Sequence, residues 1–347
     1  MTLGAARSGR FGVRVIDRLG PLRLARLAAI TFPIAIGFVT LVQYPYFLDP
    51  TTIGGDASNY YAAGLRLNAG HDLYDLVPGD RQVPLVPPYW SVPLLSPPPI
   101  AVLWRPLALL GDASMWLWWI AGFGLSAGAL AWLIRTGSIG CQLGLIALSP
   151  ALALTAVAGN VNAHLLPLLV GAGAVLLRQA PARAEALAGA AIAIAMAVKV
   201  TPIFLVWWLI VGRRWAALGG FLIAAGAIGL ASLAGAGLES HLRYLDIAIR
   251  TAAHGNTPVS LAGIATGGGL APQVAWLVPV VVGIVGSAAI WALRSKPRAT
   301  FALAAALAVA TSPVVYFQTL SLLAVALVPF IARKSLAPTP RAPTTPQ

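Results

Sequence analysis

The chain has 347 residues, 59% of them hydrophobic and only 10% charged, with a mean hydropathy of +0.82. A soluble domain carries about 25% charged residues, and no soluble core of this length could hide so much apolar surface, so a soluble protein is excluded. The formal charge of +13 would suit a nucleic-acid partner in a soluble chain; here it reads as positive-inside topology, and no nucleic acid is expected.

The expected fold class is therefore an all-α polytopic membrane protein, because a helix satisfies its own backbone groups in lipid. The single cysteine, Cys141, excludes a disulfide framework and a cysteine metal cluster. His71, His164, His241 and His254 show no metal-ligand spacing.

Residues 1–23 carry Arg7, Arg10, Arg14, Arg18 and Arg23 and no small-residue cleavage site. They read as a cytoplasmic basic tail that binds lipid headgroups, not as a cleaved signal peptide. A transmembrane catalytic domain is expected over 24–334, its first span running from about 24 to 48. The polar segment 49–97 follows, with Asp56, Asp72, Asp75 and Asp80 against Arg66 and Arg81, and its acidity places it outside. Within it Gly54-Gly55 permits a sharp turn. Asp56 then precedes an amphipathic helix over 57–69, with Tyr61, Leu65 and Asn68 on one face, which is expected to lie along the membrane interface.

Ser96-Pro97-Pro98-Pro99 re-enters the membrane, and 98–134 reads as one crossing plus a re-entrant or interfacial piece containing Trp116, Trp118 and Trp119. Further apolar segments lie at roughly 140–158, 160–177, 184–199, 200–212, 215–237, 272–293, 299–312 and 314–332, about ten spans in all. Several are shorter than the roughly 20 residues a full span needs. Breaks at Gly159-Asn160, Thr201-Pro202 and Ser312-Pro313 read as hairpin tips or broken helices. A second external loop is expected at 238–271. The Pro-rich tail 335–347 is expected to be disordered.

Threaded from a cytoplasmic N-terminus, Arg135, Arg178, Arg183, Arg213, Arg214, Arg294, Lys296, Arg298, Arg333 and Lys334 all fall inside, and both termini are cytoplasmic. The same threading collects arginine-poor tips outside. They are the Asp56 loop, Gly159-Asn160-Val161-Asn162, Lys199-Val200-Thr201-Pro202, the stretch from His254 to Ser260, and Ser312-Pro313 with Tyr316 and Gln318. Polar groups near membrane depth are costly and mark function.

Asp56 is the candidate catalytic base, although most aspartates in such a position only cap a helix. Lys199 is a candidate phosphate ligand, with snorkelling to headgroups as the alternative. Arg66 and Arg250 are its candidate helpers. Asn160 and Asn162 are turn residues when taken singly and suit hydroxyl recognition as a pair; Asn256 and Ser260 follow the same logic. His254 adjoins that loop. Tyr60 is an interfacial belt residue by default, and aromatic faces also stack on sugar rings. No second carboxylate lies within three residues of Asp56, so there is no D-x-D motif, and neither a metal, a cofactor nor a nucleotide-sugar donor is expected.

These elements, in their order and spacing, resemble glycosyltransferase family 87, the DUF2029 membrane proteins. The resemblance runs from Gly55-Asp56 through Tyr61, Ala62 and Gly64, then Gly70-His71-Asp72-Leu73-Tyr74 and Pro98-Pro99 to Pro106. It continues through Gly159-Asn160-Val161-Asn162, Lys199-Val200-Thr201-Pro202, Arg213-Arg214-Trp215, Asn256 to Ser260, and Ser312-Pro313 to Tyr316. The last element departs from the family in carrying Tyr316, Phe317 and Gln318 where histidine or tryptophan is usual.

The resemblance implies a C-type glycosyltransferase fold. It also implies transfer of mannose or arabinofuranose from a polyprenyl-phosphate donor, on the outer face of the plasma membrane, to a glycolipid or cell-wall glycan. Asp56 is the base it implies, and direct displacement at the anomeric carbon predicts inversion. Two other readings stand beside it: a lipid-linked-sugar flippase or small-solute transporter, which broken helices also suit, and a family member that binds donor without turnover.

Overall fold

The computed structural model describes residues 20–51, 53–76, 83–86, 90–178, 180–254 and 257–331. The expected basic tail, up to residue 19, and the Pro-rich tail 335–347 lie outside the described residues.

Helix α1 (Pro21–Gln43) starts on a proline at its first position, where the missing N–H has no partner to lose, and ends before Tyr44-Pro45. A turn of 3₁₀ helix (Pro45–Leu48) leads to α2 (Asp56–Asn68). The only strands among the described residues, β1 (Val83–Val86) and β2 (Trp90–Val92), form an antiparallel hairpin. Then come α3 (Pro98–Ala108), α4 (Ala113–Thr136), α5 (Ile139–Ala147), α6 (Ser149–Val157), α7 (Asn162–Leu176), α8 (Ala182–Val198) and α9 (Ile203–Val211). Helix α10 (Trp215–His254) is kinked at Gly237, whose φ is 75°. The series closes with α11 (Leu261–Gly267), α12 (Pro272–Ala275), α13 (Leu277–Ala292), α14 (Pro297–Ala310) and a 3₁₀ helix over Phe317–Phe330.

The protein is a helical membrane protein, but the expectation of about ten spans is corrected. Among the described residues, four stretches are long and apolar enough to cross a membrane: Pro21–Gln43, Ala113–Thr136, Trp215–Ala252 and Pro272–Ala292. Counting α5 and α6, bent by 56° at their junction, as one broken span gives five. The reason is length. Helix α7, with 15 residues, measures about 22 Å, against a hydrocarbon core of about 30 Å. It and α14 are cut short at Gly159-Asn160 and Ser312-Pro313. Residues 238–254, expected in a loop, continue α10 beyond its kink.

Helix α7 is the hub. Leu165, Leu166, Leu169, Val170 and Leu176 are buried on it, and Gly173 admits the ring of Phe301 from α14. Helices α8 and α10 press backbone to backbone, because a Cβ on Gly189 or Gly220 would overlap the carbonyl of Ala217 or Ala186. Small residues of this kind let helices approach closely where lipid offers no hydrophobic drive to associate.

Helix α2 buries Ala57, Tyr60, Ala63, Gly64 and Arg66, and Leu65 is exposed. Of the expected face, only Leu65 is free of α3: Tyr61 lies edge-on to Trp104 and Asn68 donates to the Arg105 carbonyl at 2.8 Å. Gly64 permits this approach, since any side chain there would meet the backbone of Trp104 on α3.

The bundle has two chemically different ends. At one, Arg26 donates to the carbonyl of Arg135 (2.9 Å) and Arg214 pairs with Glu185 (2.7 Å). At the other lie the α1–α2 loop, the α6–α7 turn, the end of α8 and the loop before the final 3₁₀ helix.

Candidate active site

The second end is organised by two glycine loops. Gly54 and Gly55 both have positive φ (71° and 64°), as does Gly159 (60°) in the α6–α7 turn. A Cβ on Gly54 would stand 2.9 Å from the Cα of Gly159. The Asp56 N–H donates to the carbonyl of Ala158 at 3.0 Å. Two loops a hundred residues apart are therefore locked together by their backbones, as only glycine allows.

Gly54→Ala is expected to lower the melting temperature sharply and reduce activity with it. Gly70→Ala, at φ 74° with nothing near its would-be Cβ, carries the conformational cost alone, about 1–2 kcal/mol. Thermal unfolding of the two variants side by side measures the difference. Equal shifts would mean that the loop contact contributes nothing.

Asp56 is not the cap of α2. Gly55 holds that position without a side-chain bond, and Asp56 is the first helical residue, where the positive end of the helix favours its charge. Its carboxylate starts a relay. Asn160 Nδ2 donates to Asp56 Oδ2 at 2.7 Å, and Asn160 Oδ1 accepts from the Asn162 N–H at 2.9 Å. Lys199 Nζ donates to Asn162 Oδ1 at 2.9 Å, and Asn162 Nδ2 donates to the carbonyl of Gln318 at 3.2 Å. Asn160 and Asn162 are buried, whereas Asp56 and Lys199 are half-buried at the two ends of the relay.

Three groups outside the spanning helices register the Asp56 charge. Burial pushes the Lys199 ammonium down to about 8, and Asp56 partly opposes that shift. Burial, and secondarily Asp56, push the Tyr60 phenol far above its ordinary value. Burial and then Asp56 also raise Tyr316. One carboxylate, one ammonium and two phenols are thus gathered at this end of the bundle.

The supporting shell was less visible in the sequence. Trp118 Nε1 donates to the Gly159 carbonyl (3.1 Å) and Trp119 Nε1 to that of Ala156 (2.7 Å), which clamps the α6–α7 turn. Thr155 Oγ1 donates to the Gln318 carbonyl at 2.8 Å. The Trp-rich run reads locally as part of a crossing or of a re-entrant or interfacial piece, and nothing in it names its distant acceptors.

The remaining candidates are distributed as follows. Gln318 takes part through its carbonyl. Ser260 is buried and commits its hydroxyl to capping α11, accepting from the Gly263 N–H at 3.0 Å and donating to the Thr257 carbonyl at 2.8 Å. Asn256 and the side chain of His254 lie outside the described residues. Arg66 and Arg250 have partners away from the bonds of this relay. Arg66 lies near the far end of α2, buried, and donates to the Leu73 carbonyl at 3.2 Å. Arg250 is exposed on α10 and bonds Asp246, one helical turn away.

No curated protein and no solved structure matches the chain. The sequence model of glycosyltransferase family 87 matches residues 95–333, a stretch that includes Asn160, Asn162, Lys199 and Tyr316 and begins after Asp56. A match over more than half of its length shows that this membrane-embedded chain belongs to glycosyltransferase family 87.

Proposed function

We propose that the protein transfers a sugar, mannose or arabinofuranose, from a polyprenyl-phosphate donor to a hydroxyl of a glycolipid or cell-wall glycan. It does so with inversion, in a C-type glycosyltransferase architecture, on the outer face of the plasma membrane, with both termini cytoplasmic. The observation that carries this reading is the relay joining the Asp56 carboxylate to the Lys199 ammonium through Asn160 and Asn162.

The chemistry follows from the two ends. The acceptor oxygen attacks the anomeric carbon as its proton passes to Asp56. The bond from that carbon to the phosphate oxygen breaks, and polyprenyl phosphate leaves as an anion that needs no general acid. Lys199 neutralises the phosphate. Asn160 is the positioning residue, holding one carboxylate oxygen while the acceptor is engaged. Tyr316, partly exposed beside Asp56, offers a ring for sugar stacking.

The direct test uses detergent-purified protein with polyprenyl-phospho-mannose, polyprenyl-phospho-arabinofuranose and GDP-mannose. Transfer is expected from one of the lipid donors and not from the nucleotide sugar, and chelation with EDTA is expected to leave the rate unchanged. Transfer from GDP-mannose would overturn the donor class.

The Lys199 shift supplies a pH test with two opposite signs. If the ammonium holds the phosphate, kcat/KM falls as pH rises through about 8, well below the ordinary lysine range. Stability moves the other way. Above about pH 8 the unfolded chain binds more protons at this lysine than the folded one, so its contribution to stability rises with pH until the unfolded lysine also titrates. A kcat/KM profile flat to pH 10 would remove Lys199 from donor binding.

A further inference from the structure

At the end of the bundle opposite Asp56, two adjoining cavities are walled by basic side chains. The larger, of about 520 Å³, is lined by Glu185, Trp208, Arg213, Arg214, Arg294 and Thr300, among others. The smaller, of about 350 Å³, is lined by Leu177, Arg214, Lys296 and Arg298, and shares Arg214 and Pro297 with the first. Five cations thus face one carboxylate. That carboxylate, Glu185, is already engaged by Arg214 at 2.7 Å.

We propose that this double cavity binds the phosphate of an anionic phospholipid. The site is separate from the sugar-transfer centre, about 22 Å away along α7.

Two of the cations, Arg214 and Arg294, are held in place by neighbouring groups. Arg213 adopts a left-handed φ of 52°, and the N–H groups of Arg213 and Arg214 close the end of α9 onto the carbonyls of Ile210 (3.0 Å) and Leu209 (2.9 Å). This turn sends both arginines off the helix end together. The Arg214 guanidinium lies 5.7 Å from the Trp208 ring centroid, and that of Arg294 lies 5.2 Å from the Trp291 ring while also donating to the Trp291 carbonyl at 3.2 Å. Trp208 Nε1 is itself fixed by Thr300 Oγ1 at 3.0 Å. Guanidiniums anchored over indoles lose less freedom on binding an anion than free surface side chains do.

Helix α14 starts at the same place, with Pro297 in its first turn, no acidic residue there and no side-chain cap. Its positive end adds to the field.

Positive-inside topology requires only that basic residues lie on one side of the membrane. It does not require five of them to share two cavities. The neighbours favour a lipid over a free ion, because Ile210, Trp215, Trp291 and Leu293 are exposed beside the cavities and would carry the acyl chains.

The test compares thermal unfolding of the purified full-length protein in detergent with added dioleoylphosphatidylglycerol, added dioleoylphosphatidylcholine or sodium phosphate. Native mass spectrometry counts retained lipid in parallel. The site variant is R294Q/K296Q, which removes one cation from each cavity and spares the Arg214–Glu185 pair. The control is R135Q/R183Q, which removes the same charge from residues of the same end that line neither cavity.

Phosphatidylglycerol is expected to raise the Tm of wild type and of the control above the phosphatidylcholine value, with one lipid retained. R294Q/K296Q is expected to lose both the shift and the lipid. Full phosphatidylglycerol preference in R294Q/K296Q, no preference in wild type, or an equal shift from sodium phosphate alone would each overturn the proposal. The last result would assign the cavities to a free anion. None of these readouts depends on sugar transfer, so the outcome stands whether or not the proposed reaction is found.

Discussion

Asp56→Asn is expected to lower the rate of sugar transfer by about 10²–10⁴-fold, the usual contribution of a positioned general base. The substitution keeps the shape of the side chain and an oxygen that can accept from Asn160 Nδ2, so the relay and the α2 start should survive. The amide cannot take the acceptor proton, and the loss should therefore fall on kcat with little change in the donor KM. The measurement is steady-state transfer in membranes at matched expression, with the melting temperature as a check on folding. Turnover at the wild-type level with a normal Tm would remove Asp56 from the chemistry, and the family relationship would then need another base.

Lys199→Met is expected to reduce kcat/KM for the lipid-phosphate donor by about 10²–10³-fold, comparable to removing one group that stabilises developing charge. Methionine retains the length and apolar stem of lysine. It takes away the ammonium and leaves Asn162 Oδ1, buried and paired with Lys199 Nζ at 2.9 Å, without that donor. This orphaned acceptor should cost stability as well, about 1–3 kcal/mol. The two effects separate by titrating the donor: lost phosphate binding raises KM, whereas lost stability lowers the amount of folded enzyme. An unchanged kcat/KM per folded enzyme would place the phosphate elsewhere.

The features legible in the sequence were the local ones. Composition alone excluded a soluble protein. The loops rich in arginine and the loops poor in it sorted the chain into two ends, and Arg26 with Arg135 at one end and Asp56 with Lys199 at the other follow that division. Gly54-Gly55 and Gly159 could be marked as sites of unusual backbone because glycine has a local meaning. The span count was over-read for a related reason. An apolar run of 14 or 15 residues looks like part of a span by hydropathy, but α7 and α14 bury their apolar side chains against neighbouring helices.

The partners were not legible. Asn160 and Asp56 are separated by 104 positions and Lys199 and Asn162 by 37, and no periodicity links such pairs. Arg66 illustrates the limit: nothing in the polar segment it shares with Asp56 names the Leu73 carbonyl as an acceptor for its guanidinium. By itself the sequence determined the solvent, the polarity of the two ends and the residue types available at each, since these depend on each residue's own transfer energy and charge. Only the tertiary structure decided which of them meet, because a hydrogen bond at 2.7 Å requires two loops to be brought together, and that is set by the backbone contact of Gly54 and Gly159 and by the helices that carry them.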